Sequence, residues 1–95
     1  MAYYMVRLYS GSGGRPPEQL LRDVVDPQLR PKLEEAGGLQ RYITFIADDG
    51  RIGSASVYEN KEAAQRGLEV ARALVSVTDA LKGYQHSQTL EGEIA

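Results

Sequence analysis

The first run of the chain, Ala2-Tyr3-Tyr4-Met5-Val6-Arg7-Leu8-Tyr9, alternates with apolar residues on both faces. Tyr4, Val6 and Leu8 share one face; Tyr3, Met5 and Tyr9 share the other. Aromatic and branched residues at this density predict a strand, and a strand apolar on both sides predicts cover on both. Ser10-Gly11-Ser12-Gly13-Gly14 follows as a flexible connector. No Lys-Ser or Lys-Thr comes after these glycines, so they are not a phosphate-binding P-loop.

Pro16-Pro17-Glu18 opens a helix, with proline early and an acid in the first turn. Leu20, Leu21, Val24, Val25, Leu29, Leu33 and Ala36 then recur at helical spacing. Pro27 and Pro31 interrupt this stripe, so a helix over 17–36 is expected to be kinked or split, and Asp26 is the cap available for a second start if it splits. Gly37-Gly38 supplies the stop. The runs 39–47 and 51–59, joined by Asp48-Asp49-Gly50, predict a β-hairpin. Asn60 is a good N-cap for a second helix over 61–81, whose stripe runs through Ala64, Gly67, Leu68, Ala71, Leu74, Val75, Thr78 and Leu81. Gly83 ends it, and 84–94 reads as a last strand. The order β-α-β-β-α-β is the ferredoxin-like α+β arrangement: a four-stranded antiparallel sheet with two helices on one face, expected as one domain over 1–95.

Two helices cover one face only. By strand parity Tyr4, Val6, Leu8, Ile43, Phe45, Gly53, Ala55 and Val57 form a compact apolar set suited to the helices. The alternate set holds Tyr3, Met5, Arg7, Tyr9, Tyr42, Thr44, Ile46, Ile52, Ser54, Ser56, Tyr58, Tyr84, His86 and Gln88, aromatic and polar but still carrying Met5, Ile46 and Ile52. Tyrosine is favoured where one end of a side chain is buried and the other wet. This second face is therefore expected to dock on a second copy, as a homodimer through the sheet face.

The size of the chain agrees with a need for a partner. At 95 residues it buries only roughly 60–65% of its unfolded surface. Eleven Lys and Arg stand against 13 Asp and Glu, a net charge of −2, which argues against nucleic acid as a partner. Cysteine is absent, which excludes disulfides, a thiolate nucleophile and zinc–thiolate sites. With a single histidine, no metal site is expected. No apolar run approaches a membrane span and no leader pattern opens the chain, so no membrane partner and a cytoplasmic location are expected.

Candidate chemistry is sparse. Histidine alone has an unperturbed pKa near neutrality, which makes His86 the one natural acid or base; it serves equally as a hydrogen-bonded interface residue. Tyr42, Tyr58 and Tyr84 suit the walls of a pocket for an aromatic ligand, and interface packing explains the same pattern. Arg7 and Arg41 can each grip a carboxylate in a two-pronged way. The more ordinary expectation is that Arg7 and Arg41 pair with Asp48, Asp49 or Glu59. The adjacent carboxylates Glu34-Glu35 and Asp48-Asp49 point different ways and make no dyad.

Several local pieces carry a resemblance: Arg7-Leu8-Tyr9-Ser10-Gly11, Gly38-Leu39-Gln40-Arg41-Tyr42, Ser56-Val57-Tyr58-Glu59-Asn60-Lys61-Glu62-Ala63-Ala64 and Glu91-Gly92-Glu93-Ile94. With the element order, they make nearly the whole chain resemble the dimeric α+β barrel superfamily, in particular the antibiotic biosynthesis monooxygenase-like domains. The resemblance implies two sheets paired into a barrel with helices outside. It also implies either a small-molecule-binding dimer or a cofactor-independent monooxygenase or isomerase acting on an aromatic or polyketide-like substrate. No cofactor is implied. The active branches lean on tryptophan, on asparagine and, in the haem-degrading members, on a histidine of the second helix. Here tryptophan is absent, the second helix has no histidine, and Asn60 sits at a helix cap. A small-molecule-binding dimer is therefore the leading expectation and the oxygenase second. A regulatory module fused to a DNA-binding domain comes third, since 95 residues leave no room for the fusion.

Overall fold

A computed structural model describes all residues, Met1–Ala95. Strand β1 (Tyr3–Gly11) leads into a helical run made of α1 (Pro17–Leu20), a π-helical turn (Leu21–Val25) and α2 (Asp26–Ala36). Strands β2 (Leu39–Ile46) and β3 (Ile52–Tyr58) form the hairpin, α3 (Lys61–Val77) and a 3-10 turn (Asp79–Leu81) follow, and β4 (Tyr84–Glu93) ends the sheet. The four strands are antiparallel in the order β2-β3-β1-β4, which is the ferredoxin-like arrangement. No helix is long and apolar enough to cross a membrane.

The signals at the element ends act as read. The Asn60 side chain accepts from the Ala63 N–H at 2.9 Å and caps α3. Gly37 and Gly38 take φ of 90° and 83° at the end of α2, and Gly50 takes 91° in the hairpin turn. The glycines after β1 serve backbone contact: a Cβ at Gly83 or Gly11 would run into main-chain atoms of the opposing segment, and Ser12 N–H donates to the Gly83 carbonyl at 3.2 Å.

Two expectations about the helices are corrected. Asp26 does not cap a second start. The backbone stays helical through Val25 and Asp26, no side-chain cap bond forms, and Asp26 pairs with Arg30 instead. The prolines are absorbed by widening the helix: Asp26 N–H bonds back to the Leu21 carbonyl, five residues earlier, and Pro27 supplies no donor to the next turn. The second helix stops at Val77 rather than 81, because Thr78 turns extended and its hydroxyl donates to the Leu74 carbonyl at 2.7 Å.

The largest correction concerns the faces of the sheet. The helices cover the tyrosine-rich face, not the aliphatic one. Tyr3, Met5 and Tyr58 pack on Ala63 and Ala64 of α3. Ile52 and Tyr84 pack on Leu20, Leu21 and Val24, and Tyr42 packs on Leu29 and Leu33. Volume decides this. Helix α3 presents Ala63, Ala64 and Gly67, and any Cβ at Gly67 would run into the ring and hydroxyl of Tyr58. Small residues on the helix make room for large ones on the strands. The aliphatic set, with Leu90 added from β4, is left as the open face, where Ile43 is 58% exposed and Leu90 is 51% exposed.

A break in register between Leu8 and Tyr9 splits β4. Tyr9 pairs with His86 and Leu8 with Gln88, so Ser87 is the extra residue of a bulge. Tyr84 and His86 stay on the helix side with Tyr9, whereas Gln88 and Leu90 fall on the open face.

Candidate functional site

The covered face of the sheet does not fill completely. Between it and the helices lies a cavity of about 50 Å³. Arg7, Tyr9, Tyr42, Ser54 and Tyr84 approach it from the strands. Leu21, Val25, Ala71 and Val75 close it from the helices. Two of these, Leu21 and Val25, are the first and last residues of the π-helical turn, so the proline-driven widening of the helix forms part of the roof.

Tyr42 is fixed from three sides. Its ring lies under the Arg30 guanidinium, 4.9 Å from ring centroid to the guanidinium carbon. Arg30 Nη2 also donates to the Tyr42 carbonyl and to Asp26 Oδ1, each at 3.1 Å. These bonds tie α2 to β2 beside the cavity. Burial is the main reason the Tyr42 phenol is pushed well above its ordinary value, with Asp26 adding to the shift and Arg30 opposing it. The Tyr42 hydroxyl is buried and has no hydrogen-bond partner.

Arg7 has the same character. It is 7% exposed, and its Nε has no partner. The expectation that it pairs with Asp48, Asp49 or Glu59 fails. The ion pairs of the chain are Arg22–Asp23, Arg30–Asp26, Arg51–Asp49 and Lys82–Asp79. Arg51 sits two residues from Asp49 on the same hairpin and takes it at 2.8 Å, while Arg41 is exposed and pairs with nothing. The closest compensation for Arg7 is the Tyr9 ring, 5.3 Å from centroid to the guanidinium carbon. The phenol of Tyr9 is itself raised, first by burial, against the pull of Arg7.

A shallower groove of about 300 Å³ adjoins the cavity and shares Arg7, Tyr9, Val75 and Tyr84 with it. Arg72 and His86 line only the groove. The His86 ring meets the Tyr9 ring edge-on, centroids 5.6 Å apart, and its Nε2 lies 2.6 Å from Thr89 Oγ1. The bulge at Ser87 brings these two side chains, three residues apart, to the same side of the strand.

Of the residues singled out from the sequence, Arg7, Tyr42 and Tyr84 therefore meet at the cavity and His86 lies at its mouth. Tyr58 does not join them. It packs on Ala63, Ala64 and Gly67, where burial raises its phenol. Two further residues belong to the site, Tyr9 and Arg72. Tyr9 shares the parity of Arg7, which is its signal in the sequence. Arg72 sits at the margin of the α3 stripe, three residues before Val75, with nothing in its own pattern to mark it.

No protein-family model matches the sequence, and no curated protein matches it in sequence. Solved structures do match in shape, among them dimeric ferredoxin-like proteins and antibiotic biosynthesis monooxygenases. A dimeric ferredoxin-like protein from an uncultured marine organism is 20% identical, with a TM-score of 0.74 over 99% of this chain and 94% of that one. SnoaB, a cofactor-independent oxygenase from Streptomyces nogalater, is 14% identical, with a TM-score of 0.67 over 99% and 93%. The ActVA-Orf6 monooxygenase of Streptomyces coelicolor, in complex with nanaomycin D, is 14% identical, with a TM-score of 0.66 over 99% and 88%. The chain thus shares the ferredoxin-like fold of these structures along nearly its whole length.

Proposed function

We propose that this single-domain chain forms a homodimer through its open sheet face and binds a small aromatic or polyketide-like molecule between sheet and helices. The observation that carries the ligand reading is the cavity with its adjoining groove. Tyr9, Tyr84 and His86 offer ring faces and edges there, and buried polar tips await partners. Clefts for small ligands commonly combine an apolar wall with a few convergent polar groups. The cavity alone is too small for a ring system, so the body of the ligand lies in the groove.

The dimer reading rests on the open face. Phe45 lies over Gly53, where a Cβ would come within 2.6 Å of its ring, and Tyr4 lies over Gly92. Rings laid over glycines keep the surface flat, which suits packing against a second sheet. Light scattering on the wild-type chain is expected to give twice the mass of one chain, and Val6→Lys, at the middle of β1 on that face, is expected to give a monomer. A wild-type monomer at micromolar concentration rejects the dimer. For the ligand, a fluorescence screen of small aromatic compounds should yield binders whose affinity falls in Tyr84→Ala. A screen without binders rejects the pocket.

Cofactor-independent oxygenation or isomerisation is the second reading, favoured by the likeness to SnoaB and ActVA-Orf6. In it His86, at the mouth of the groove, takes a proton from the substrate. Oxygen uptake with an anthrone, lost in His86→Gln, separates this reading from binding alone.

A further inference from the structure

The interior of this protein carries an unbalanced charge. Arg7 is nine-tenths buried, and no carboxylate pairs with it. A buried cation without a counter-charge is costly, and the Tyr9 ring beside it offsets only part of that. The chain has 13 carboxylate side chains, yet none lines the cavity or the groove. Arg7 and Arg72 are the charged groups there, and His86 is the titratable group at the rim. A chain of net charge −2 has thus gathered a pocket of opposite sign, and such a cleft concentrates anions.

The shape narrows the anion. Arg7 Nε is a buried, unpartnered donor on the edge of a planar guanidinium, and the Tyr42 hydroxyl is a second unpartnered group on the same cavity. A guanidinium edge matches a carboxylate through two parallel bonds. The cavity, at about 50 Å³, holds a compact planar head and not a ring. The groove, at about 300 Å³, has room for the rest of the molecule.

We infer that the site takes a small aromatic carboxylic acid as its anion, with the carboxylate in the cavity against Arg7 Nε and the Tyr42 hydroxyl, and the ring in the groove beside Tyr9, Tyr84 and His86. Arg72, at the rim, draws the anion in. This rests on the reading of the cavity and groove as a small-molecule site and adds the charge of the ligand and the residues that read it.

Benzoate and benzamide have the same shape and differ in charge, so calorimetric titration of the intact chain with each tests the inference. Benzoate is expected to bind about tenfold or more tightly than benzamide, the scale of one charge-assisted contact. Arg7→Gln should abolish that preference, and Arg72→Gln should weaken benzoate by a smaller factor. Tyr42→Phe, which removes an unpartnered hydroxyl and should fold, is expected to weaken benzoate and leave benzamide nearly unchanged. It carries the test alone if Arg7→Gln fails to fold: unchanged benzoate affinity in Tyr42→Phe then overturns the inference. Equal binding of benzoate and benzamide overturns the inference and leaves the aromatic pocket standing. Binding of acetate but of neither aromatic compound supports the anion site and overturns the aromatic reading. Binding of none of the three overturns both.

Discussion

The two faces of the sheet are both apolar and are built on opposite plans. The helix-covered face is made of large side chains with polar tips, among them Tyr3, Tyr42, Tyr58 and Tyr84; Tyr3 and Tyr58 are set against Ala63 and Ala64 of α3, with Tyr58 also over Gly67. The open face is made of aliphatic side chains and of rings laid over Gly53 and Gly92. On the covered side, bulk on the strand answers its lack on the helix. On the open side the surface is low and flat. The difference teaches that hydrophobicity alone does not say which face meets the helices; the volumes on the opposing element do. It also explains where the cavity lies, because long side chains that meet a helix through their middles leave space and unmatched polar atoms near their tips.

The sharpest way to break this comparison is to truncate a large side chain on the covered face. Tyr58→Ala is expected to cost about 3–5 kcal/mol, whereas Val57→Ala, one residue away on the open face, should cost far less when the monomer is measured. Urea unfolding of both variants in a Val6→Lys background makes the comparison at equal association state. Similar losses at the two positions would dismiss the idea that the faces differ in packing. The complementary change adds bulk to the helix. Gly67→Val is expected to cost about 1–3 kcal/mol by overpacking against Tyr58. Combined with Tyr58→Leu, which withdraws the ring, the loss should be smaller than the sum of the two single changes. Additive losses would mean that the two residues do not share the space.

A smaller effect is expected where α3 is seated rather than packed. Asn60→Ala removes the bond to the Ala63 N–H and should cost about 1 kcal/mol. Because that first turn carries Ala63 and Ala64 onto Tyr3 and Tyr58, faster amide exchange should appear in the first turn of α3 before it appears in β2. Uniform acceleration would show that the cap does not act locally.

Much of the fold is legible in the chain itself. Alternation marks the strands, Asn60 and the glycine pairs mark element ends, and the order of elements leaves a ferredoxin-like sheet as the simplest arrangement. Parity also divides the residues of β1, β2 and β3 into the two faces they occupy: Tyr3, Met5, Arg7 and Tyr9 share a face with Tyr42 and Tyr58. What parity does not carry is the identity of the face the helices choose. Tyrosine on a sheet face suggests a wet interface, but these tyrosines lie under the helices, and Tyr9, Tyr42 and Tyr84 line a cavity there. The bulge at Ser87 leaves no mark in the pattern, so alternation alone puts Gln88 with His86, whereas the strand turns it to the other side. Arg7 stands out in the sequence, but its want of a counter-charge depends on where each carboxylate ends up. Asp49 is taken by Arg51 next to it in the hairpin, a local contact that a distant strand does not displace.

The smallest expected effect is also the one that separates stability from binding. Tyr42, Tyr9 and Tyr58 have phenols raised, first by burial, above the ordinary value of 10.0. Below that pH they are neutral in both folded and unfolded chains and impose no pH dependence. Above it the unfolded chain releases phenolic protons that the folded chain retains, so stability falls as pH rises. Tyr42→Phe removes the phenol beside the cavity and should make the fall between about pH 10 and 12 shallower. Below pH 10 the same variant should be more stable than wild type by about 1 kcal/mol or less, because it deletes a buried hydroxyl with no partner. Denaturant midpoints measured across this range check both statements, and an unchanged alkaline slope would show that the Tyr42 hydroxyl already ionises freely in the folded chain. A stabilised Tyr42→Phe that binds benzoate less well would mean that the unmatched hydroxyl is kept at a cost to the fold, as a group with a ligand to meet. A stabilised variant with unchanged binding would mean that it is a packing remnant of the large-on-small plan of the covered face.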